Sequence, residues 1–365
     1  MYYKVLKTKL RTTKKQEEFL DQLIKERNDA WNFLVETFNP RYKNKDYPGD
    51  TEVIQTLRNK FPDALRSQLQ GVRTAYKEAW AQVFKIKSRM EPRFHSWRFA
   101  NSTTFTTNFN IVKNGYYHLT REHKLKLAEK VPELKRKDLA LVTFSRRAGK
   151  YYISLTWKDE NLKVQKSESN QIGLDWGCEN FLTDQNGEVY NLPVRVFRTS
   201  QRIKALQKVV SKKDREGQSK NWQRAQKKLS DAWCRYNNLR TDFIEKLTYT
   251  LLKQNEWVAI EDLEINKMIK KSHKNRRKQI YQNSYNRFRN RLLTKKMRFT
   301  SEVILVDRFY PSSQIDPTTG ERHKEMKDFR KKEFTLADGT TLHRDQVAAI
   351  NILNEANRMV GASMY

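Results

Sequence analysis

The spacing of apolar positions changes several times along the chain. Residues 2–10 alternate loosely between polar and apolar, which predicts a strand. From about Thr13 to Thr37 the spacing turns helical. Phe19, Leu20, Leu23, Ile24, Trp31 and Leu34 recur at steps of one, three, four and seven, and Thr12 or Thr13 suits the cap. The stretch NPRYKNKDYPGD (39–50) breaks this helix with Pro, Gly and Asp. A second helical block is predicted over 51–87, interrupted near Pro62. Between Pro92 and about Trp157 the segments TTFTTNFNIV, YYHLT, LALVTFSRR and KYYISLTWK are short and β-rich, separated by turn signals such as Lys113-Asn114-Gly115. The polar run ENLKVQKSESN (160–170) reads as a linker.

A second unit opens at residue 171. IGLDWG, FLTDQNG and EVYNLP read as three strands, the last two joined by a tight turn at Asn186-Gly187. Residues 197–255 are helical and highly charged, as two long antiparallel helices, and their charge suits a solvated surface and a nucleic-acid face alike. NEWVAIEDLEI (255–265) is a strand ending in acids, and EVILVDRFY (302–310) is another strand. LHRDQVAAINILNEANRM (342–359) is a helix with Ala348, Ala349, Ile352 and Leu353 on its apolar face.

Charge narrows the class of partner. Lys plus Arg is 73 against 42 Asp plus Glu, a formal net charge of +31. Such an excess opposes compaction unless a polyanion neutralises it. It is spread through the chain and mixed with aromatics, which favours nucleic acid over a membrane surface. No apolar run approaches a membrane span, and MYYKVLKTKL lacks the apolar core of a signal peptide. A cytoplasmic, nucleoid-associated place in a prokaryotic or phage setting is expected. The two cysteines, Cys178 and Cys234, fit a reducing compartment and cannot build a four-thiolate zinc site. Cys178 reads as a small core residue.

Against this basic background three acids stand at the ends of separate core elements. Asp175 follows the first strand of the second unit, Glu261 ends the strand after Val258-Ala259-Ile260, and Asp345 opens the last helix. Each alone suits a cap or a turn, and Asp345 suits a helix N-terminus. Together, carboxylates that converge stay ionised only if cations hold them. Mg²⁺, or Mn²⁺ in its place, takes such oxygen ligands and leaves positions for phosphate oxygens. A two-ion site of this kind hydrolyses phosphodiesters.

These residues also resemble a known family. IGLDWGCENFLTDQNGEVY resembles the first nuclease motif of TnpB proteins, transposon-encoded RNA-guided DNA endonucleases related to type V CRISPR effectors, through Gly173, Asp175, Gly177, Asn180 and Gly187. VAIEDLEINKM resembles the second motif, VDRFYPSS (306–313) a further signature, and RDQVAAINIL the third motif. YKVLKTKLRTTKKQEEFLDQL and PRFHSWRFANSTTFTT are similar to the family's opening and middle, so the likeness covers nearly the whole chain. It implies an α+β multi-domain fold. A β-barrel-like wedge domain (1–12 and 92–165) would carry an inserted helical recognition domain (13–91). An RuvC-like nuclease domain of RNase H fold (171–365) would follow, with a mixed sheet and a helical insertion. It also implies a metal-binding catalytic triad of Asp175, Glu261 and Asp345, a guide RNA, and a double-stranded DNA target beside a short transposon-adjacent motif.

The sequence departs from the family at three places. The four-cysteine zinc knuckle expected within 311–343 has no cysteine: Asp316 and Thr319 stand at the first pair and FTLADG (334–339) at the second, so no zinc is expected. Val347 stands where the family has Asn, which removes a polar group expected to support the metal site. Trp176 and Glu179 replace the usual aliphatic residue and Lys. These changes keep open a second reading, an RNA-guided DNA-binding regulator with weak or lost cleavage. A transposase proper is a third, although it has no need of the upstream strands.

Between Ile265 and Ser301 there are thirteen Lys or Arg and no acid. The first half of 270–299 reads as a mobile basic loop, and the second as a basic helix with Tyr285, Phe288, Leu292 and Met297 mostly in the core. Lys270, Lys271, Lys274, Arg276, Arg277, Lys278, Arg287 and Arg291 are candidates to lead single-stranded DNA to the acids. In the second helical block Arg66, Gln70, Arg73 and Tyr76 share one side and are candidates for backbone contacts with a guide–target heteroduplex.

Overall fold

The computed structural model describes residues 3–362 except 87, 97–99, 107–110, 121, 136, 160–162, 178, 213–218, 274–276, 278–279, 281–283 and 329. The chain divides into two compact units, Met1–Asn161 and Leu162–Tyr365. No described helix is long and apolar enough to cross a membrane.

In the first unit seven strands form one antiparallel sheet. They are β1 (Tyr3–Arg11), β2 (Ser102–Thr106), β3 (Ile111–Lys113), β4 (Tyr116–His118), β5 (Lys124–Leu127), β6 (Leu139–Arg147) and β7 (Lys150–Lys158), in the order β2-β6-β7-β1-β5-β4-β3. Alternation decides what faces inward: along β7, Tyr151, Ile153, Leu155 and Trp157 are buried. They meet Leu10, Phe105, Tyr117 and Phe144 from other strands and Leu20 and Leu23 of α1 (Lys14–Lys43). Thr13 and Gln16 close a capping box at the start of α1. Helices α2 (Asp50–Lys60) and α3 (Arg66–Lys85) pack with α1 around Trp31, Leu34, Phe38, Leu57, Val72 and Trp80.

Two expectations change here. Helix α1 does not break at 39; it runs through Pro40 to Lys43. Asn39 and Tyr42 are buried, the Asn39 amide donates to Pro92 O (2.8 Å) and its oxygen accepts from the Tyr76 hydroxyl (2.7 Å). That packing offsets the hydrogen bond Pro40 cannot make. Tyr76 itself is fully buried among Trp31, Tyr42 and Trp80, so it is a core residue and not a backbone contact.

The second unit is built on a mixed five-stranded sheet. Its strands are β8 (Asn170–Asp175), β9 (Leu182–Asp184), β10 (Val189–Tyr190), β11 (Asn255–Glu261) and β12 (Glu302–Val306), ordered β10-β9-β8-β11-β12. β8, β9 and β10 form an antiparallel meander, while β11 lies parallel to both β8 and β12. Helices α4 (Val194–Ser211) and α5 (Lys220–Gln254) connect β10 to β11. They are followed by α6 (Ile265–Lys271), α7 (Tyr285–Lys295) and α8 (Arg344–Ala362).

Strand periodicity sends alternate residues to opposite faces. Ile172, Leu174, Val258, Ile260 and Val303 pack with Leu247, Leu251, Phe288 and Leu292 of α5 and α7. Ala259 and Val306 face the other way, onto Ile352 and Ala356 of α8. Gly173 shares that second face, where α8 passes at backbone contact. The expected linker is not free: within 163–169, Gln165 bridges to Phe299, and Ser167 donates to Leu252 O (2.7 Å). Met297, expected in the core, is 55% exposed in a short 3₁₀ turn after α7.

The approach at Gly173 gives a test. A Cβ there would overlap Ala349 O and lie 2.8 Å from Leu353 Cβ. Gly173→Ala is expected to cost about 1–3 kcal/mol and lower Tm. Gly361→Ala, near the open end of α8 with nothing within 4 Å of the added methyl, is expected to leave Tm unchanged or slightly raised. Equal Tm for wild type and Gly173→Ala, in a thermal melt, would sink this account of the packing.

Candidate active site

Sheet parity places two of the acids together. Asp175 is two residues past Gly173 and Glu261 two past Ala259, so both project to the α8 face. The parallel register pairs Gly173 with Ala259 and Leu174 with Ile260. One step further sets Asp175 beside Glu261 at neighbouring strand ends, which general strand spacing puts about 4.8 Å apart. Helix α8 brings the third. Asp345 lies in its first turn, and Asp345 Oδ2 comes within 3.7 Å of where a Cβ on Gly177 would be. That distance places the Asp345 carboxylate beside the end of β8.

The electrostatics match this geometry. Burial, then the charges of Glu261 and Asp345, push the Asp175 carboxyl well above the usual carboxylate range, partly opposed by Arg344 and by a backbone donor at Trp176. Burial also raises Glu261, against a hydrogen bond from the Ser312 hydroxyl to Glu261 Oε1 (2.8 Å). The acids thus lie within electrostatic reach of one another. Among the described residues no three His, Cys, Asp or Glu side chains are gathered closely enough to hold a metal ion.

Glu261 and Asp262 are adjacent in sequence but different in role. Asp262 is neutralised by Arg289 (2.5 Å) and Arg308 (3.3 Å). Glu261 has a hydroxyl partner and its backbone carbonyl accepts from Tyr285. Tyr285 is buried against Trp176, whose rings are 5.2 Å apart, and this pair forms the floor next to the acids. Sequence reasoning gave no role to Ser312 or Asn351 and expected Tyr285 only as a core residue. The Asn351 amide donates to Ser312 O and Ile315 O, both at 2.7 Å, and so ties α8 to the segment carrying Ser312. VDRFYPSS was the only signal that could have drawn attention to Ser312.

The remaining candidates are scattered. Arg66 is exposed; Gln70 Oε1 accepts from Thr106 Oγ1 (3.2 Å), and Arg73 pairs with Asp50 (3.4 Å). Lys270 is exposed, and Arg277 is exposed with its guanidinium on the carbonyls of Ile269 and Ser272. Lys271 ends α6. Lys274, Arg276 and Lys278 lie outside the described residues, as does Cys178. Arg287 is exposed and donates to Thr241 Oγ1 (3.1 Å), whereas Arg291 is committed to Glu245 (2.5 Å).

The knuckle region has its own fastening. Strands β13 (Glu333–Thr335) and β14 (Thr341–His343) form a hairpin. Asp316 is 1% exposed, and its carboxylate accepts from Thr318 N (2.8 Å), Thr318 Oγ1 (2.6 Å) and Ala337 N (2.7 Å). Burial disfavours its charge, yet these donors outweigh burial and hold the carboxyl below the usual range. Val347 is fully buried with Met326, Phe334 and Leu336 in a small core under the hairpin. Glu179 pairs with Lys332 (3.2 Å).

Comparison with known proteins finds relatives of the chain. A family model described as "Probable transposase" matches residues 153–272, and the Cas12f1-like TNB domain matches residues 285–352. A relative from Streptomyces pristinaespiralis is 27% identical over 308 residues, covering 83% of this chain and 73% of its own. InsQ of Escherichia coli K12 is 32% identical over 130 residues, 35% of this chain and 32% of its own. Both carry the name "Putative RNA-guided DNA endonuclease". These matches agree with the TnpB resemblance of the sequence motifs. Its fold is similar to that of Cas12f1 in a complex with sgRNA and target DNA, at a TM-score of 0.57 and 15% identity over 94% of this chain and 83% of that one.

The Asp316 bridge carries a prediction. Asp316→Ala leaves the Thr318 and Ala337 donors unpaired and is expected to cost about 1–3 kcal/mol. Hydrogen exchange should show the loss confined to 312–343, with added zinc restoring nothing. Unchanged protection in Asp316→Ala would mean that the hairpin does not depend on this bridge.

Proposed function

We propose that this TnpB-like chain is an RNA-guided DNA endonuclease: a bound guide RNA pairs with one strand of a double-stranded target beside a short transposon-adjacent motif, and Asp175, Glu261 and Asp345 form the centre that cuts phosphodiesters. The observation that carries it is the shared placement of these acids, two at adjacent strand ends and one in the first turn of α8, on one face of the sheet. The sheet order β10-β9-β8-β11-β12, with its meander and two parallel strands, supports an RuvC-like domain of RNase H fold. The sheet of the first unit reads as the wedge and its helices as the recognition module. The net charge of +31 suits RNA and DNA as partners.

The donor set fits a hard divalent cation, Mg²⁺ or Mn²⁺, because all three groups are carboxylates and neither sulfur nor imidazole is among them. Asp175, Glu261 and Asp345 would hold it. When bound, such an ion supplies charge neutralisation and polarises a phosphodiester. The chain's own residues prepare for this. The Ser312 hydroxyl fixes one oxygen of Glu261 and leaves the other to the site. Arg344, anchored on Asp328 O (3.2 Å) and Ser313 Oγ (3.0 Å), offsets part of the charge at Asp175 without pairing to it. Arg289 and Arg308 keep Asp262 occupied. The binding-only reading rested partly on Val347, but that side chain belongs to the hairpin core, so its change from Asn takes no polar group from the acids.

The triad is tested by Asp175→Ala, which should abolish cleavage of matched plasmid while the RNA complex still binds target DNA. Full cutting by that variant, with contaminating nuclease excluded, would overturn the assignment. Ser312→Ala should reduce cleavage by roughly 10–100-fold, the usual effect of removing a hydrogen bond that orients a metal ligand, with partial recovery at higher Mg²⁺. Undiminished cleavage at limiting Mg²⁺ would remove Ser312 from the site.

A further inference from the structure

Helices α4 and α5 pack along an apolar seam of Val196, Ile203, Ala232 and Tyr236, edged by Leu192, Leu206, Leu229 and Leu239. A charged residue stands one position before three seam-side residues on each helix. On α4 Arg195 precedes Val196, Arg198 precedes Thr199, and Arg202 precedes Ile203. On α5 Lys228 precedes Leu229, Asp231 precedes Ala232, and Arg235 precedes Tyr236. One residue is about 100° of helix rotation, so each charged row lies on one flank of the seam. Because the helices run antiparallel, the two rows meet on the same flank. They line a groove of about 510 Å³, with Thr199 and Ala232 at its floor.

Five cations therefore face one acid. Helix α4 carries Arg195, Arg198, Arg202, Lys204 and Lys208 and no acid, so its own turns supply no counter-charge. Among the described residues none of the five groove cations has an ion-pair partner, whereas Arg289, Arg291, Lys295 and Arg308 of the same unit are all paired. Each row spans seven residue steps, about 10 Å of helix rise. Such rails suit a ligand with repeated negative charge better than one small anion. The axes of packed helices lie about 8–10 Å apart, so a groove between their flanks admits one backbone and not a duplex.

We propose that this groove seats the sugar–phosphate backbone of a single-stranded stretch of the guide RNA. The proposal rests on the function proposed above. RNA is chosen over target DNA because the groove's charge is present in every copy of the chain and calls for a resident polyanion, while target DNA comes and goes.

The test uses the full chain and the RNA that co-purifies with it, sequenced and then transcribed. The variant Arg195→Gln/Arg198→Gln/Arg202→Gln is compared with wild type for RNA binding across a salt series. Its side chains are exposed, so Tm should hold. RNA affinity should fall by about tenfold or more, and the slope of log K against log salt should become shallower by about 2, the value for three lost contacts on a single strand. The Arg→Lys triple variant should recover most of the slope. Unchanged affinity and slope in the Gln variant overturn the groove. Intact RNA binding with weakened target-DNA binding by the assembled complex assigns the groove to DNA and overturns the RNA assignment. A wild-type chain that binds no RNA sinks the function proposed above and this inference with it; wild-type binding that persists in the variant sinks only the groove.

Discussion

At Gly173 the carbonyl oxygen of Ala349 and the Cβ of Leu353 occupy the space where a side chain would begin. This contact lets α8 lie on the sheet at backbone distance, and the acid face depends on it. A residue with a Cβ at 173 would lift the helix away from the sheet. The first turn of α8, two and a half turns upstream of Leu353, would then carry Asp345 away from Gly177 and from the end of β8. Small residues continue the close packing on both sides of the contact, with Ala259 from β11 and Ala349 and Ala356 from α8 all fully buried. The position of the acids is thus set by residues that have no chemistry of their own.

The same unit handles its charges in two ways. Where an acid serves the fold, a cation is supplied: Asp262 receives Arg289 and Arg308, and Glu245 receives Arg291 and Lys295. At Asp175 and Glu261 the partners are weaker, a hydroxyl on Glu261 and an Arg344 guanidinium that is tied elsewhere. In a chain with 73 Lys and Arg this is not a shortage of cations. Burial together with mutual repulsion leaves these carboxyls poised to gain from a positive ion, because a cation removes both penalties at once. The α4–α5 groove presents the opposite imbalance, five cations against one acid. Both point to partners that are not part of the polypeptide.

Much of this was legible in the sequence because periodicity carries it. The order of strands and helices in the second unit followed from alternation in IGLDWG and VAIEDL and from the 3.6-residue spacing of 342–359, and parity alone puts Asp175 and Glu261 on one face once the strands are paired. Tertiary context was not legible. Pro40 read as a helix stop, yet burial of Asn39 and Tyr42 carries the helix past it. Tyr76 read as a surface residue from its spacing with Arg66 and Arg73, but an aromatic at the margin of an apolar stripe can turn either way, and the Asn39 oxygen decides it. The pairing of Arg291 with Glu245 joins residues 46 apart and has no local signal. The α4–α5 groove was hidden for a related reason. Its charge was visible, but which flank each row occupies depends on how the two helices are paired.

The departures of the knuckle region and of Val347 in the third motif have one physical explanation. A zinc knuckle is fastened by metal–thiolate bonds, and without cysteines its loops must be held otherwise. Here the Asp316 carboxylate reaches from its own turn to Ala337 N, crossing between the two loops that cysteine pairs would have joined. Hydrogen bonds of this kind are weaker than zinc ligation and leave the segment in need of apolar burial. Met326, Phe334, Leu336 and Val347 supply it, and Val347 is the residue that stands in place of Asn. An amide at 347 would be buried in that cluster at the cost of an unpaired polar group, so the loss of cysteines and the change to Val belong to a single rearrangement. The rearrangement is anchored in α8, two residues after Asp345. The hairpin therefore bears directly on the helix turn that presents the third acid.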